Sequence, residues 1–259
     1  MINRRDTKEA VQYWYRQDDS LYFSNMLKAS VADLHGHDTA RRVEQALDHI
    51  SDQFRQFKAG RAETIRAPAL ENAPDSRLIE LLTRTFLYSG KAYEEHRNGR
   101  PREALRLLRT SMKIDARICL EFGVTPIVAH YYQSRHNVCR LLAAIGRRRA
   151  LYMLLSRTLA MLAGTIPTSD ARIAVLLELM GIQILSYFIG AVEKGVLPKA
   201  REIPIQPDVE RASHLSNNIN LYNCIVRNDA DAAFHILRDK DPFVLAGFKR
   251  LLTATPSKQ

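Results

Sequence analysis

Apolar residues recur at helical spacing along most of this chain. One example runs through residues 43–54, where the apolar positions are Val43, Ala46, Leu47, Ile50 and Phe54. Such spacing places them on one side of an α-helix. No segment shows the alternation of apolar and polar residues between turns that is typical of a half-buried strand. Because the 259 residues include only 11 Gly and 10 Pro, turns are few and elements are long, so the sequence predicts an all-α fold.

Residues that cap or break helices predict where the elements begin and end. Asp6 with Glu9 resembles a capping box, and residues 18–20 offer a second helix start. Pro101 follows the break at residues 98–100 and suits the first position of a helix. The predicted helices are three within 6–59, then about 76–97, 101–123, 126–146, 146–163, 173–192, 208–226, 229–238 and 241–253.

One segment without helical periodicity separates the first helices from the rest. Residues 59–76 contain two prolines and are the best candidate for a long connection. We therefore expect an N-terminal helical cap at 1–60, a linker at 61–75 and a helical-repeat-like body at 76–259. One continuous domain that includes the cap is the alternative.

The longest apolar stretch, residues 173–192, has the length that a membrane span needs. Glu178 and Gln183 lie near its middle, however, and an acidic side chain there is unfavourable by roughly 2.5 to 3.5 kcal/mol on insertion scales. A buried central helix is therefore the favoured interpretation.

The net charge of +10 is concentrated in one segment. Between Arg97 and Arg157 there are 13 Lys or Arg and only three acidic residues, so the rest of the chain is neutral. A local field of one sign indicates an anionic partner or surface. Arginine outnumbers lysine 28 to 10, and its planar fork suits bidentate binding of carboxylate or phosphate.

The strongest candidate binding surface is a basic row on the helix predicted after Pro101. At about 100° per residue the row falls within an arc of about 80°, and apolar residues fill the far side. Neighbouring like charges oppose helix formation by roughly 0.2 to 0.5 kcal/mol a pair. Glu103 near Arg106 and Glu121 near Arg117 relieve part of this repulsion, and a bound anion would relieve the rest. The row consists of Arg102, Arg106, Arg109, Lys113 and Arg117.

Further arginines would extend this row if successive helix pairs stack as repeats do. They are Arg135, Arg140, Arg147, Arg148 and Arg149. Tyr131 and Tyr132 stand beside Arg135 and would allow stacking on single-stranded nucleic acid. Packing inside the protein is the more ordinary role of such tyrosines.

These cations favour a non-enzymatic scaffold or adaptor that binds an acidic protein or peptide. The alternative is a protein that binds RNA or DNA, or a coat-like protein peripheral to a membrane, with the same arginines on phosphates. The same residues also suit a solvated face that is neutralised by acidic side chains from elsewhere in the chain.

Sequence signatures of enzymes and cofactor sites are absent. Neither GxxxxGK[ST] nor GxGxxG occurs, which argues against a nucleotide-dependent enzyme. The three cysteines are far apart and form no CxxC motif, and no secretory signal is readable, so we expect a reducing, cytoplasmic location. We expect no enzyme activity and no cofactor.

The one cluster of potential metal ligands is His35, His37 and Asp38. An all-α enzyme with a metal at the two histidines is a further alternative, although no HExxH or paired ExxH motif completes such a site. Asp38 is explained more simply as a helix cap. We therefore expect no metal.

Residues 87–116 resemble a tetratricopeptide-type helical hairpin. In that family a small residue and an aromatic three positions later mark close packing of the first helix, and a glycine opens the turn. The second helix then has a small, a large and another small residue at fixed intervals. The matching residues here are Gly90, Tyr93, Gly99, Ala104, Leu108 and Ser111.

Two fainter copies begin near Gly146 and Asn228, and the spacing from Tyr93 to Ala104 is two residues longer than in the family. The resemblance implies antiparallel hairpins stacked into a right-handed array that offers a concave surface to a protein segment. A compact helical bundle is the alternative. The resemblance implies no catalytic residues.

Overall fold

A computed structural model describes residues 19–68, 76–163, 171–197, 202–203 and 214–227 of the chain. Every regular element within these ranges is an α-helix, and most helices that are consecutive in the chain pack against each other. The predicted all-α fold of helical hairpins is confirmed. The helices are α1 (Asp19–His35), α2 (His37–Lys58), α3 (Ser76–Arg97), α4 (Pro101–Phe122), α5 (Ile127–Ala144), α6 (Arg148–Ala163), α7 (Ala171–Glu193) and α8 (His214–Arg227).

Glycine and proline set the ends of the central helices, as predicted. Pro101 lies in the first turn of α4, and Gly123 ends the helix with φ 70° while its N–H donates to the Cys119 carbonyl. Gly146, with φ 70°, lies between α5 and α6. A side chain at such a φ would be strained, so these two glycines define the turns.

One predicted helix start needs correction. α2 begins at His37 after Gly36, which has φ 87°, so Asp38 lies in the first turn and is not the cap. α8 is described from His214, and residues 208–213, where the sequence predicts its start, lie outside the described residues. The helices predicted within 6–18, at 229–238 and at 241–253 lie outside the described residues.

Residues 1–134 form one compact unit and residues 135–259 a second, with the division inside α5. In the first unit α3 and α4 form the most extensive helix pair, and α2 packs on both α1 and α3. Aliphatic side chains from these helices make its main core, for example Leu27, Val31, Val43, Leu47, Leu82, Ile114 and Ile118.

The segment after α2 packs on α3. Ile65 is fully buried, and its backbone N–H donates to Oε2 of Glu94 at 3.1 Å. A Cβ added to Gly90 would lie 3.1 Å from Cδ1 of Ile65. Within the described residues, the end of α2, the segment after it and α3 thus pack together as part of the first unit.

The residues that resemble a tetratricopeptide hairpin occupy two kinds of environment. Ala104, Leu108 and Ser111 are buried on α4, as such positions require. Gly90 lies against Ile65 rather than against α4, and Tyr93 is 37% exposed with its ring edge-on to Phe54. The two α3 residues therefore pack against the end of α2 and the segment after it.

In the second unit α7 packs against both α6 and α8. Ile184 and Phe188 of α7 are buried, as expected for a central helix. The side-chain amide of Asn223 accepts from the Ile203 N–H at 2.8 Å and donates to the Ile203 carbonyl at 2.9 Å. This pair of bonds ties an irregular segment to α8.

Within the described ranges, no helix combines the length and the hydropathy that a membrane span requires.

Close contact between α7 and α8 depends on Gly181, and Gly181→Ala tests it. The new Cβ would lie 2.2 Å from Cδ2 of the fully buried Leu215. We expect the free energy of unfolding to fall by about 1 to 3 kcal/mol, because overpacking outweighs the better helix propensity of alanine.

The matched control is Gly190→Ala in the same helix, where nothing lies within 4 Å of the added Cβ. Urea denaturation should show this variant unchanged or more stable by up to about 1 kcal/mol. Equal stability of the two variants would contradict the close contact.

Candidate interaction surfaces and a buried polar network

The basic row on α4 faces solvent along its whole length. All five of its side chains are exposed. Residues on the opposite side of the helix are buried, among them Leu105, Leu108, Ile114 and Ile118. The amphipathic arrangement predicted for this helix is therefore confirmed.

Two members of the row are neutralised by carboxylates of their own helix. Nε of Arg106 donates to both carboxylate oxygens of Glu103, at 2.8 and 3.0 Å. Nε of Arg117 donates to Glu121 at 2.9 Å. The hydrogen bond from each arginine lowers the pKa of its glutamate. Both pairs lie three or four residues apart, as the sequence indicated.

Arg102, Arg109 and Lys113 form no ion pair with any residue that the structure describes. At 1.5 Å per residue they span about 16 Å of the helix. Arg109 and Lys113 are one turn apart, where like charges repel by roughly 0.2 to 0.5 kcal/mol. These three cations are the part of the row that an external anion would neutralise.

A second group of cations lies in the other unit. Arg147, Arg148 and Arg149 are exposed where α6 begins, and they line a shallow depression with Met153. The first turn of α6 contains no acidic residue. Positive charge at a helix N-terminus is unfavourable because it meets the positive end of the helix dipole. Arg140, on α5, is also exposed.

The structure corrects one member of the predicted set. Arg135 is buried at 8% exposure, and its Nε donates to Oγ1 of Thr158 at 2.6 Å. Tyr132 is also buried, with its ring edge-on to that of Tyr131. Neither the arginine nor this tyrosine lies where a nucleic acid could reach it.

Two members of the candidate metal cluster, His35 and Asp38, contact other protein groups. Nε2 of His35 lies 3.0 Å from the Phe122 carbonyl oxygen, which makes it a helix-end contact. Asp38 pairs with Arg41 at 3.2 Å. No group of three potential ligands occurs in the described ranges.

All three cysteines are free thiols. Burial raises the pKa of Cys139 to about 12 and also raises the pKa of the half-buried Cys119. Both thiols therefore stay protonated near neutral pH, which is the condition of packing residues rather than of nucleophiles.

A polar network that the sequence analysis missed lies inside the first unit. Asp115 of α4 is 1% exposed, and its carboxylate lies 2.9 Å from Nδ1 of His130 on α5. The hydroxyl of Thr85 on α3 donates to the same carboxylate at 2.6 Å. Nε2 of His130 lies 3.2 Å from the hydroxyl of Ser89.

These contacts follow the order carboxylate, imidazole, hydroxyl that serine hydrolases use. An ionised carboxylate can only accept, so Nδ1 of His130 donates to Asp115 while Nε2 faces the Ser89 hydroxyl. The Ser89 hydroxyl, however, also lies 3.2 Å from that of Ser111 and 3.3 Å from that of Ser134, both buried. A hydroxyl that faces buried hydroxyls in mid-helix suits helix packing better than attack on a substrate.

A signal for this network exists in the sequence. Thr85 and Ser89 are one helical turn apart, and so are Ser111 and Asp115, on helices predicted to form a hairpin. Polar residues in register on two facing helices predict a shared hydrogen-bond network. The contribution of His130 is not visible in this way, because it comes from a third helix.

Comparison of the chain with protein-family models, curated proteins and solved structures finds no match.

Asp115→Ala should destabilise the first unit strongly. It leaves His130 and Thr85 without their buried acceptor, and removing one partner of a buried pair typically costs about 3 to 5 kcal/mol. Urea denaturation measures the loss, with Asp48→Ala at an exposed site of α2 as the matched control. Similar stabilities for the two variants would contradict a structural role for the network.

His136 should make stability fall on mild acidification. Burial, followed by the charge of Arg140, lowers the pKa of His136 from 6.5 to about 4. Its buried Nε2 has no hydrogen-bond partner among the described residues, and its ring lies 5.1 Å from that of Tyr187. Because the unfolded chain binds the proton more tightly, stability is lost as the pH falls from 6.5 towards 4.

We expect this loss to reach about 2 kcal/mol at pH 5, relative to pH 8. His136→Gln, which does not titrate, should remove it from the pH dependence of the free energy of unfolding. His37→Gln, at an exposed position, is the control. Parallel curves for the wild type and His136→Gln would show that His136 makes no contribution.

Proposed function

We propose that this protein is a non-enzymatic adaptor that binds an acidic segment of another protein through exposed cations within residues 97–157. One observation supports this most directly. Arg102, Arg109 and Lys113 share one exposed face of α4 and have no ion pair among the described residues. Their mutual repulsion is unfavourable for the helix. A row of carboxylates bound along this face would add attraction that outweighs the repulsion.

The interpretation as a purely solvated face explains other cations of this region better. Arg100, Arg106 and Arg117 each pair with a glutamate of the first unit. The helices of that unit thus supply carboxylates to some arginines and, among the described residues, none to Arg102, Arg109 and Lys113. Those three are the residues on which the proposal depends.

The burial of aromatic residues favours a protein partner over nucleic acid. Single-stranded nucleic acid is usually held by bases stacked on exposed rings beside cations. Tyr132 and Arg135 are buried, so the half-buried Tyr131 alone keeps some exposure in the candidate stacking site. An acidic peptide needs only the charged row, because guanidinium forks bind carboxylates bidentately.

The test is a triple variant, Arg102→Glu with Arg109→Glu and Lys113→Glu. Its binding to a fluorescent 20-residue polyglutamate peptide is measured by anisotropy. We expect the Kd to rise at least tenfold, because three attractive contacts become repulsive. The matched control changes Arg42, Arg61 and Arg66 to Glu, which alters the net charge equally at exposed positions of the same unit. It should raise the Kd less than threefold.

The same proteins are titrated with a 20-base-pair duplex and with vesicles that contain phosphatidylserine. Duplex binding through three phosphate contacts should show a log-log salt slope of about −2.7. If the duplex or the vesicles bind more tightly than the peptide, and the α4 variant loses that binding, then nucleic acid or lipid is the partner and the proposal is wrong. Equal effects of the α4 and control variants would show that only net charge matters.

A further inference from the structure

The outer face of α6 has an alternating pattern of cationic and apolar side chains. Arg149, Met153, Arg157 and Met161 follow one another at intervals of four residues, and all four are exposed. The two methionines are 43% and 46% exposed. Residues four apart form the ridge by which helices most commonly pack into each other's grooves.

The charges on this ridge have no acidic partner among the residues that the structure describes. No Asp or Glu occurs in the sequence between Glu121 and Asp170. Within the described residues neither Arg149 nor Arg157 forms an ion pair. Among the described residues the ridge therefore presents two unpaired arginines, whose backbone positions are about 12 Å apart along the helix at 1.5 Å of rise per residue.

The other side of α6 already serves the core of the second unit. Leu151, Leu155 and Leu159 are fully buried there. The exposed residues of α6 are arginine, methionine or alanine, with no neutral polar or acidic side chain among them. A merely solvated helix face usually has mixed charges and amides, so this composition indicates a contact surface.

We infer that this ridge docks an acidic amphipathic helix of a partner protein. A helix with carboxylates two turns apart would pair with Arg149 and Arg157, and its apolar residues between them would cover Met153 and Met161. Methionine adapts to differently shaped partners because its side chain is flexible and polarizable. The inference rests on the proposed function for the negative charge of the partner, and it adds the partner's helical form and a second surface.

A membrane is a poorer fit to the ridge. Helices that lie on membranes separate a wide apolar face, rich in large residues, from a charged face. On α6 the two half-exposed methionines stand in the same row as the arginines, so neither could enter lipid without drawing guanidinium groups in with it. Interleaved charge and apolar contact is instead typical of helix pairing between proteins.

The experiment is a selection from a displayed library of 18-residue helix-forming peptides with randomised positions. The full chain is the bait, and the variant Arg149→Glu with Arg157→Glu is used for counter-selection. Enriched peptides should have carboxylates seven or eight residues apart and apolar residues between them at helical spacing. Their Kd should rise at least tenfold for Met153→Ser with Met161→Ser, and equally for the arginine variant.

Matched controls separate local from general effects. Arg61→Glu with Arg66→Glu removes the same charge elsewhere, and Leu120→Ser removes another exposed apolar side chain, which is 85% exposed. Each should change the Kd less than threefold. Circular dichroism confirms that every variant is folded before binding is measured.

Three outcomes would overturn the inference. The first is that the enriched peptides are acidic but lack apolar residues at helical spacing. The second is that the methionine variant binds the peptides as tightly as the wild type does. The third is that no peptide survives the counter-selection. Vesicles with 30% phosphatidylserine are titrated in parallel, and binding that depends on the methionines in the absence of peptide binding would assign the ridge to lipid.

The α4 triple variant distinguishes this inference from the proposed function. If the α6 ridge is the docking site, that variant should bind the selected peptides like the wild type. If polyglutamate binding depends on α4 but no selected peptide depends on α6, the inference fails and the proposed function stands.

Discussion

The hydrogen-bond network around Asp115 and His130 joins three helices of the first unit. Asp115 projects from α4, His130 from α5, and the hydroxyls of Thr85 and Ser89 from α3. A buried carboxylate is very unfavourable unless it is paired and hydrogen-bonded. Only a narrow set of helix positions satisfies this carboxylate, so the network restricts how α3, α4 and α5 can pack.

One side of α4 is buried in the core and the other side faces solvent. Asp115 faces inward, while its near neighbours Lys113 and Arg117 face solvent. Burial of the apolar face and the inward carboxylate determines the rotation of α4, and the cationic row is then placed outward regardless of its mutual repulsion. The exposed charges of α4 are thus a consequence of core packing as well as the basis of the proposed binding. The ridge on α6 follows the same logic, since Leu155 and Leu159 determine which side of that helix faces out.

Local sequence signals predicted the helices well. Pro101, Gly123 and Gly146 act through their own backbone preferences, so the boundaries that they define could be read without a structure. The pairing of Arg106 with Glu103 is likewise local, because residues three apart on a helix are neighbours. The burial of Arg135 could not be predicted, because its partner Thr158 belongs to another helix, 23 residues away.

The amino-acid sequence alone determined that the chain is helical, where most of its central helices begin and end, and which side of α4 is charged. These properties depend on backbone preferences and on periodicity within a single helix. Tertiary structure alone decided which cations lack a carboxylate partner among the described residues, and how His130 completes a network begun by Thr85 and Asp115. Those outcomes depend on distances between residues that are remote in the chain, which no local pattern specifies.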